Sequence, residues 1–253
     1  MQTFPNTLKA LFLDMDETLC DTTGANNKAL EKMATLAQTL LGQTFDGIAF
    51  SHAYLKGIYR ELSPAYQAKL LPIAEDSEEA FRHALIEAIF KDMGENLDPA
   101  RSIAYAKKLQ RCFDDARTEY FDFYDGIVEW LAHMRESYTL VVITNGPEFS
   151  QVTKVERVNL KAHVDHIIIG GQEPEQKPHK SIFDKALRLA NCTANEAIHI
   201  GDSLSADIKG ALNAGIHSIW IQHGQEPSPD IQADWVVKLP FDVEPLLNNI
   251  LVD

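Results

Sequence analysis

The sequence predicts an α/β protein in which a doubly wound parallel sheet is interrupted by an all-helical insertion. Three observations lead there. Short apolar runs of strand length recur after residue 138 and alternate with helical stretches, the pattern of a parallel sheet covered on both faces. One further run of that kind, Leu8–Leu13, stands alone near the start of the chain. The long block between carries helix periodicity and no strand pattern, so the lone strand has to pair across it.

Taken in order, Leu8–Leu13 (LKALFL) reads as a buried strand that ends abruptly in the polar Asp14-Met15-Asp16-Glu17-Thr18. Asp21–Gly24 reads as a turn leading into a helix. Leu30, Met33, Ala37, Leu40 and Leu41 then recur at helix spacing. A second helix carries Phe81, Ala84, Leu85, Ala88 and Ile89, opened by Asp76 or Ser77 and closed by Gly94. A third starts at Asp98-Pro99, with proline at the first helical position. Beyond Tyr124, strands are expected at Thr139–Thr144, His166–Ile169, Ala197–Ile200, Ile216–Ile221 and Trp235–Val237. Helices are expected up to Asn159, over His179–Ala190 and over Ser205–Ala214. Residues 1–21 and 121–253 therefore form a discontinuous core, and residues 22–120 a helical domain inserted after the first strand.

A chain of 253 residues, 45% apolar, can bury a substantial core without disulfides or structural metals. Its formal net charge of -14 argues against nucleic acid polymers as partners, because these need clustered Lys and Arg. A small anion is still compatible, since a bound cation and local donors can reverse the potential in one pocket. Cys20, Cys112 and Cys192 are odd in number and widely spaced, which suits thiols packed as small hydrophobes in a reducing, cytoplasmic setting. Met1–Pro5 lacks the basic and apolar regions of a leader, and no apolar run reaches the roughly 20 residues that span a bilayer. A monomer or homodimer is expected.

In parallel sheets ligands bind beyond the carboxyl ends of the strands. The first strand delivers Asp14 and Asp16 there, and the second delivers Thr144-Asn145-Gly146. A loop with Lys177-Pro178 follows the third, and Gly201-Asp202-Ser203, with Asp207 beyond, follows the fourth. Asp14, Asp16 and Asp202 make an oxygen-rich cluster suited to Mg²⁺. Lys177 can balance phosphate charge, and Thr144 and Asn145 can donate to phosphate oxygens. Each feature alone has a bland reading: an acidic turn, a solvated lysine, a polar turn, a helix cap at Asp202 or Asp207. Their occurrence together at four successive strand ends points to phosphate chemistry.

With DMDET (Asp14–Thr18), ITNG (Ile143–Gly146), EQKP (Glu175–Pro178) and GDSLSAD (Gly201–Asp207) in this order, the chain resembles the haloacid dehalogenase superfamily. The insertion directly after the first motif is similar to that superfamily's first type of cap. The resemblance implies a Rossmann-like core with a helical cap and a phosphoric monoester hydrolase. Asp14 would be the nucleophile, forming an aspartyl-phosphate, and Asp16 the general acid and base. It implies Mg²⁺ on the carboxylates of Asp14 and Asp202 and the backbone carbonyl of Asp16. Thr144 and Lys177, with the amides of Met15, Asp16 and Asn145, would hold the phosphoryl group. Thr18, Ser203 and Asp207 would support, Asp207 backing the metal shell or Lys177 rather than binding metal directly.

Asp16 favours phosphoryl transfer over carbon–halogen cleavage, because dehalogenases of the family lack an acid there. Asp21–Ala25, Ile168–Pro178 and Asp207–Ile216 look similar to N-acylneuraminate-9-phosphatases, whereas Asp16–Leu19 and His223–Val237 look similar to house-cleaning 5'-nucleotidases. The expected substrate is a small phosphorylated metabolite such as N-acylneuraminate 9-phosphate or a nucleoside monophosphate. The alternatives are a sugar-phosphate mutase, a phosphonatase or a non-catalytic phosphometabolite-binding protein. His52, Tyr54, Lys56, Tyr59 and Arg60 are the cap residues that could touch the leaving group, although Tyr54, Ile58 and Leu62 also sit at the spacing of a cap core. Asp21–Gly24 and Tyr120–Asp125 are expected to be hinges for cap closure.

Overall fold

The computed structural model describes residues 8–250, with side chains up to Leu247. Met1–Pro5, read above for a leader, lies outside the described residues. Among these, no helix is long and apolar enough to cross a membrane. The chain divides into two compact units, one made of the first 22 residues with Phe121–Asp253 and the other of Thr23–Tyr120.

The first unit is built on a six-stranded sheet. Its strands are β1 (Ala10–Leu13), β2 (Thr139–Thr144), β3 (His166–Ile169), β4 (Ala197–Gly201), β5 (His217–Ile221) and β6 (Trp235–Val237). They lie in the order β3-β2-β1-β4-β5-β6, and every pairing is parallel. All four residues of β1 are buried, which explains an apolar run without alternation. β1 begins at Ala10 rather than Leu8, although Lys9 still takes part in the ladder. Its N–H donates to the Glu196 carbonyl at 2.9 Å and its carbonyl accepts from Thr139 at 2.9 Å.

Leu13 is in register with Val142 of β2 on one side and Ile200 of β4 on the other, so three strands finish side by side. The chain winds from β1 outward in both directions, which opens a crevice at the carboxyl end of β1. One face of the sheet, with Phe12, Val141, Ile143 and Ile168, packs on Ile182, Phe183 and Ala186 and on Ala211 and Ala214.

The helices of the second unit are α1 (Thr22–Leu41), α2 (Gly47–Ile58), α3 (Pro64–Asp76), α4 (Glu78–Asp92) and α5 (Pro99–Tyr120), α1 beginning one residue before it. Their starts follow from capping chemistry: Asp46 accepts from Ala49 N–H, Ser63 from Tyr66 and Ser77 from Ala80. Ser77, not Asp76, thus opens α4. Phe50, Tyr54, Phe81, Phe90 and Phe113 make the core, with Phe50 stacked on Phe90 at 5.3 Å and Tyr54 edge-on to Phe113 at 5.1 Å. Tyr54 is fully buried and donates to Gln110, which removes it from the possible ligand contacts. Leu62 is not on the same helix as Tyr54 and Ile58: α2 stops at Ile58, Arg60 turns the chain with a φ of 66°, and Leu62 packs from the link.

In the first unit the remaining helices are α6 (Ile127–Arg135), α7 (Glu148–Arg157), α8 (Lys180–Leu189), α9 (Lys209–Ala214) and α10 (Val243–Ile250). The expected helix over Ser205–Ala214 splits into a wide turn, Leu204–Ile208, and α9. In that turn the Ile208 N–H reaches the Ser203 carbonyl at 3.2 Å, five residues back.

Candidate active site

Asp14 emerges directly from β1 and its N–H donates to Ile200 O at 2.9 Å, which fixes the loop to the end of β4. Its carboxyl is buried. Lys177 reaches it from the loop after β3, donating to Asp14 Oδ1 and, at 2.7 Å, to Asp207 Oδ1. The Lys177 backbone is held from β2: Asn145 Nδ2 donates to its carbonyl at 2.8 Å and Asn145 Oδ1 accepts its N–H at 3.0 Å. The Asn145 side chain therefore positions Lys177, which takes up its Oδ1 and one of the two hydrogens on Nδ2.

Asp207 occupies the middle of this arrangement. Besides Lys177 it receives His199 Nε2 at 2.9 Å and the Ser203 N–H at 3.0 Å. Burial would raise its pKa, but the Lys177 ammonium and the His199 hydrogen bond hold it well below the usual carboxylate range. Burial also opposes the charge on Lys177, yet Asp14 and Asp207 outweigh it and push the ammonium's pKa up. Burial pushes His199 down, so its neutral ring donates from Nε2. Gly201 permits this packing, because a Cβ there would lie 2.3 Å from Asp207 Cγ.

One ammonium does not balance this much carboxylate. Burial, then the nearby Asp207 and Asp16 charges, leave Asp14 raised to about 7 despite Lys177. Burial, followed by the Asp14 and Asp207 charges, raises Asp202 to about 8. Asp14, Asp202 and Asp207 each bring a ligand atom within 4.8 Å of the others. Hard oxygen donors crowded together and short of positive charge fit Mg²⁺. Asp207 already accepts three hydrogen bonds, so Asp14 and Asp202 have the freer oxygens. Trp220 Nε1 secures the Asp202 carbonyl at 2.8 Å.

Phosphate has a matching place. Thr144, at the end of β2, is fully buried, and its hydroxyl has no hydrogen-bond partner among the described residues. The same holds for the Thr18 hydroxyl. Buried polar atoms are seldom left unsatisfied, and the Thr144 hydroxyl, at the carboxyl end of β2, is able to donate to a phosphate oxygen. Met15 is buried in the loop between the two aspartates, and Ser203 caps the wide turn by accepting from Ala206 N–H.

Asp16 is gripped by residues that the sequence reading passed over. Its Oδ1 accepts from Lys154 Nζ at 2.6 Å and from the Thr22 hydroxyl, and its Oδ2 accepts from Gln151 Nε2 at 3.2 Å. Gln151 and Lys154 are three residues apart on α7 and share a face, a pattern visible in the sequence once that helix is tied to Thr144. His199 was missed as well; a histidine inside the apolar run AIHI was its only signal. Glu17 adopts a φ of 58°, its carbonyl accepting from His223 Nε2 at 2.6 Å and its carboxylate from Tyr124 at 3.1 Å.

Known proteins resemble this chain throughout. N-acylneuraminate-9-phosphatase of Mus musculus is 25% identical over 245 residues, 92% of each chain. Glyceraldehyde 3-phosphate phosphatase of Pyrococcus abyssi is 29% identical over 219 residues, 86% of this chain and 83% of the relative. A magnesium-bound crystal structure of a HAD-hydrolase from Bacillus subtilis shares the fold, with a TM-score of 0.69 at 21% identity, covering 96% of this chain and 99% of that one. The family model described as haloacid dehalogenase-like hydrolase matches residues 8–215. With its four strand-end motifs and that match over most of its length, the chain belongs to the haloacid dehalogenase-like hydrolases.

Proposed function

We propose that this protein is a Mg²⁺-dependent phosphatase that hydrolyses a small phosphate monoester through an aspartyl-phosphate on Asp14. The observation that carries this reading is the convergence of Asp14, Asp202 and Lys177 beside the unsatisfied hydroxyl of Thr144. Relatives named as phosphatases of small phosphorylated metabolites support the substrate class.

An Asp14 carboxylate oxygen attacks phosphorus, and the bond to the ester oxygen breaks. Asp16, in its acid form, gives its proton to the departing oxygen and the alcohol leaves. Asp16, now ionised, takes a proton from water as that water attacks the aspartyl-phosphate, which releases inorganic phosphate and restores both carboxyls. Lys177, the Thr144 hydroxyl and the amides of Met15, Asp16 and Asn145 hold the phosphoryl oxygens throughout, so stabilisation of developing charge is built into the site. Mg²⁺, held by the Asp14 and Asp202 carboxylates and the Asp16 carbonyl, would supply the positive charge that these buried acids lack.

The test is phosphate release from sialic acid 9-phosphate, nucleoside monophosphates, sugar phosphates, phosphoglycolate and 4-nitrophenyl phosphate, each with Mg²⁺ and with chelator. Turnover that requires Mg²⁺ is expected, fastest on N-acylneuraminate 9-phosphate or a nucleoside monophosphate. Folded protein that releases no phosphate from any ester would overturn the reading.

A further inference from the structure

We infer that Trp220 is a positioning residue for the metal ligand Asp202, fixing the peptide group from which that carboxylate is aimed. This inference rests on the Mg²⁺-dependent reading above and extends it to a side chain outside the four motifs.

Asp202 is the first residue beyond β4, which ends at Gly201. A glycine at that joint leaves the chain torsionally free. Among the described residues the Asp202 carboxylate accepts no hydrogen bond, so its aim depends on the backbone that carries it. The peptide group between Asp202 and Ser203 is planar, and it is held at both ends. Trp220 Nε1 donates to the Asp202 carbonyl at 2.8 Å, and the Ser203 N–H donates to Asp207 Oδ2 at 3.0 Å. With one tether gone, the plane can swing about the other and turn the Asp202 side chain with it.

Trp220 is suited to hold its end. It lies on β5, which is bonded to β4 on one side and to β6 on the other, and it is in register with Gly201. The side chain is 2% exposed, so its N–H needs an acceptor and its ring has no room to move aside. The tether therefore comes from a rigid element. Mg²⁺ requires near-octahedral oxygen ligands at about 2.0–2.1 Å, so a misdirected carboxylate binds it poorly.

The test reads metal affinity without turnover. The protein is stripped with chelator, and the Mg²⁺ Kd is obtained from the rise of Tm with added Mg²⁺. Trp220→Phe keeps an aromatic ring but no donor, and it is expected to weaken Mg²⁺ binding by about 10–100-fold, the usual effect of losing a partner that orients a ligand. At saturating Mg²⁺, kcat for the best ester should recover toward the wild-type value. Ile219→Val, at the preceding buried position of β5, should lower the starting Tm but leave the Kd unchanged. An unchanged Kd in Trp220→Phe, or equal weakening in both variants, would overturn the Trp220 assignment while leaving the phosphatase reading in place. If Trp220→Phe does not fold, a Trp130→Phe/Trp235→Phe protein leaves Trp220 as the sole tryptophan. Its emission should then shift as Mg²⁺ is added, and an emission that does not respond would equally overturn the assignment. A wild type whose Tm ignores Mg²⁺ would instead overturn the metal-dependent reading and this inference with it.

Discussion

Asn145 holds Lys177 by its backbone from both sides, donating to its carbonyl at 2.8 Å and accepting its N–H at 3.0 Å. Two segments 32 residues apart are joined at the point where one delivers an ammonium to Asp14.

From this clamp follows the behaviour of Asn145→Ala. The variant loses two hydrogen bonds of about 1 kcal/mol each and should remain folded. Lys177 then loses its fixed position, and a misplacement of about 1 Å costs on the order of a hundredfold. Circular dichroism and kcat for the best ester check the two halves. Unchanged kcat would show that the loop keeps its place without the clamp.

Lys177→Met removes the only described cation touching Asp14 and Asp207. Breaking one partner of a buried ion pair costs about 3–5 kcal/mol. For a chain of this size that corresponds to a fall in Tm of about 6–20 °C. Activity should vanish with it, which thermal unfolding and phosphate release would report together.

The sequence was legible where chemistry is local. Buried strands show as unbroken apolar runs, and Ser77 and Asp98 mark helix starts by ordinary capping. The strand ends exposed Asp14, Thr144, Lys177 and Asp202 because a parallel sheet directs all its carboxyl ends to one side. What stayed hidden depends on long-range contacts. Lys154 looks like a surface lysine until α7 is folded over Asp16, 138 residues away in sequence. His199 shows no role until the wide turn swings Asp207 back beneath it. The segment Gly47–Asp76 stayed unresolved because a left-handed Arg60 and an internal Pro72 break up its periodicity.

Without metal, stability should fall as pH rises through the neutral range. Unfolded aspartates titrate at roughly 3.9, but in the folded chain Asp14 is raised to about 7 and Asp202 to about 8. Between these limits the folded state keeps protons that the unfolded state has released. The two groups therefore favour folding most at the acid end, and this contribution is lost as pH climbs through the folded values. Mg²⁺ competes with those protons, so its effect should grow over the same window. At about a hundred times its Kd it should raise Tm by about 5–10 °C at pH 8.5, and by clearly less at pH 6. A Tm shift that is independent of pH would contradict the assignment of Asp14 and Asp202 as metal ligands.

Gly201→Ala tests the contact beneath Asp207. The new Cβ would meet the Asp207 carboxyl at 2.3 and 2.5 Å and its Cβ at 2.6 Å, and the buried aspartate has little room to retreat. Overpacking of this kind costs about 1–3 kcal/mol. Displacing Asp207 also loosens Lys177, so kcat should drop further than the stability loss explains. Denaturant unfolding alongside steady-state kinetics would show whether both effects occur.

The central claim is a covalent phosphoryl group on Asp14, and acid quench during turnover followed by peptide mass analysis addresses it directly. With Mg²⁺ and the best ester, the peptide containing Asp14 should gain the mass of one phosphoryl group, and Asp14→Asn should show neither that gain nor phosphate release. Phosphate release by Asp14→Asn at near wild-type rate, or a phosphoryl group on another residue, would contradict it.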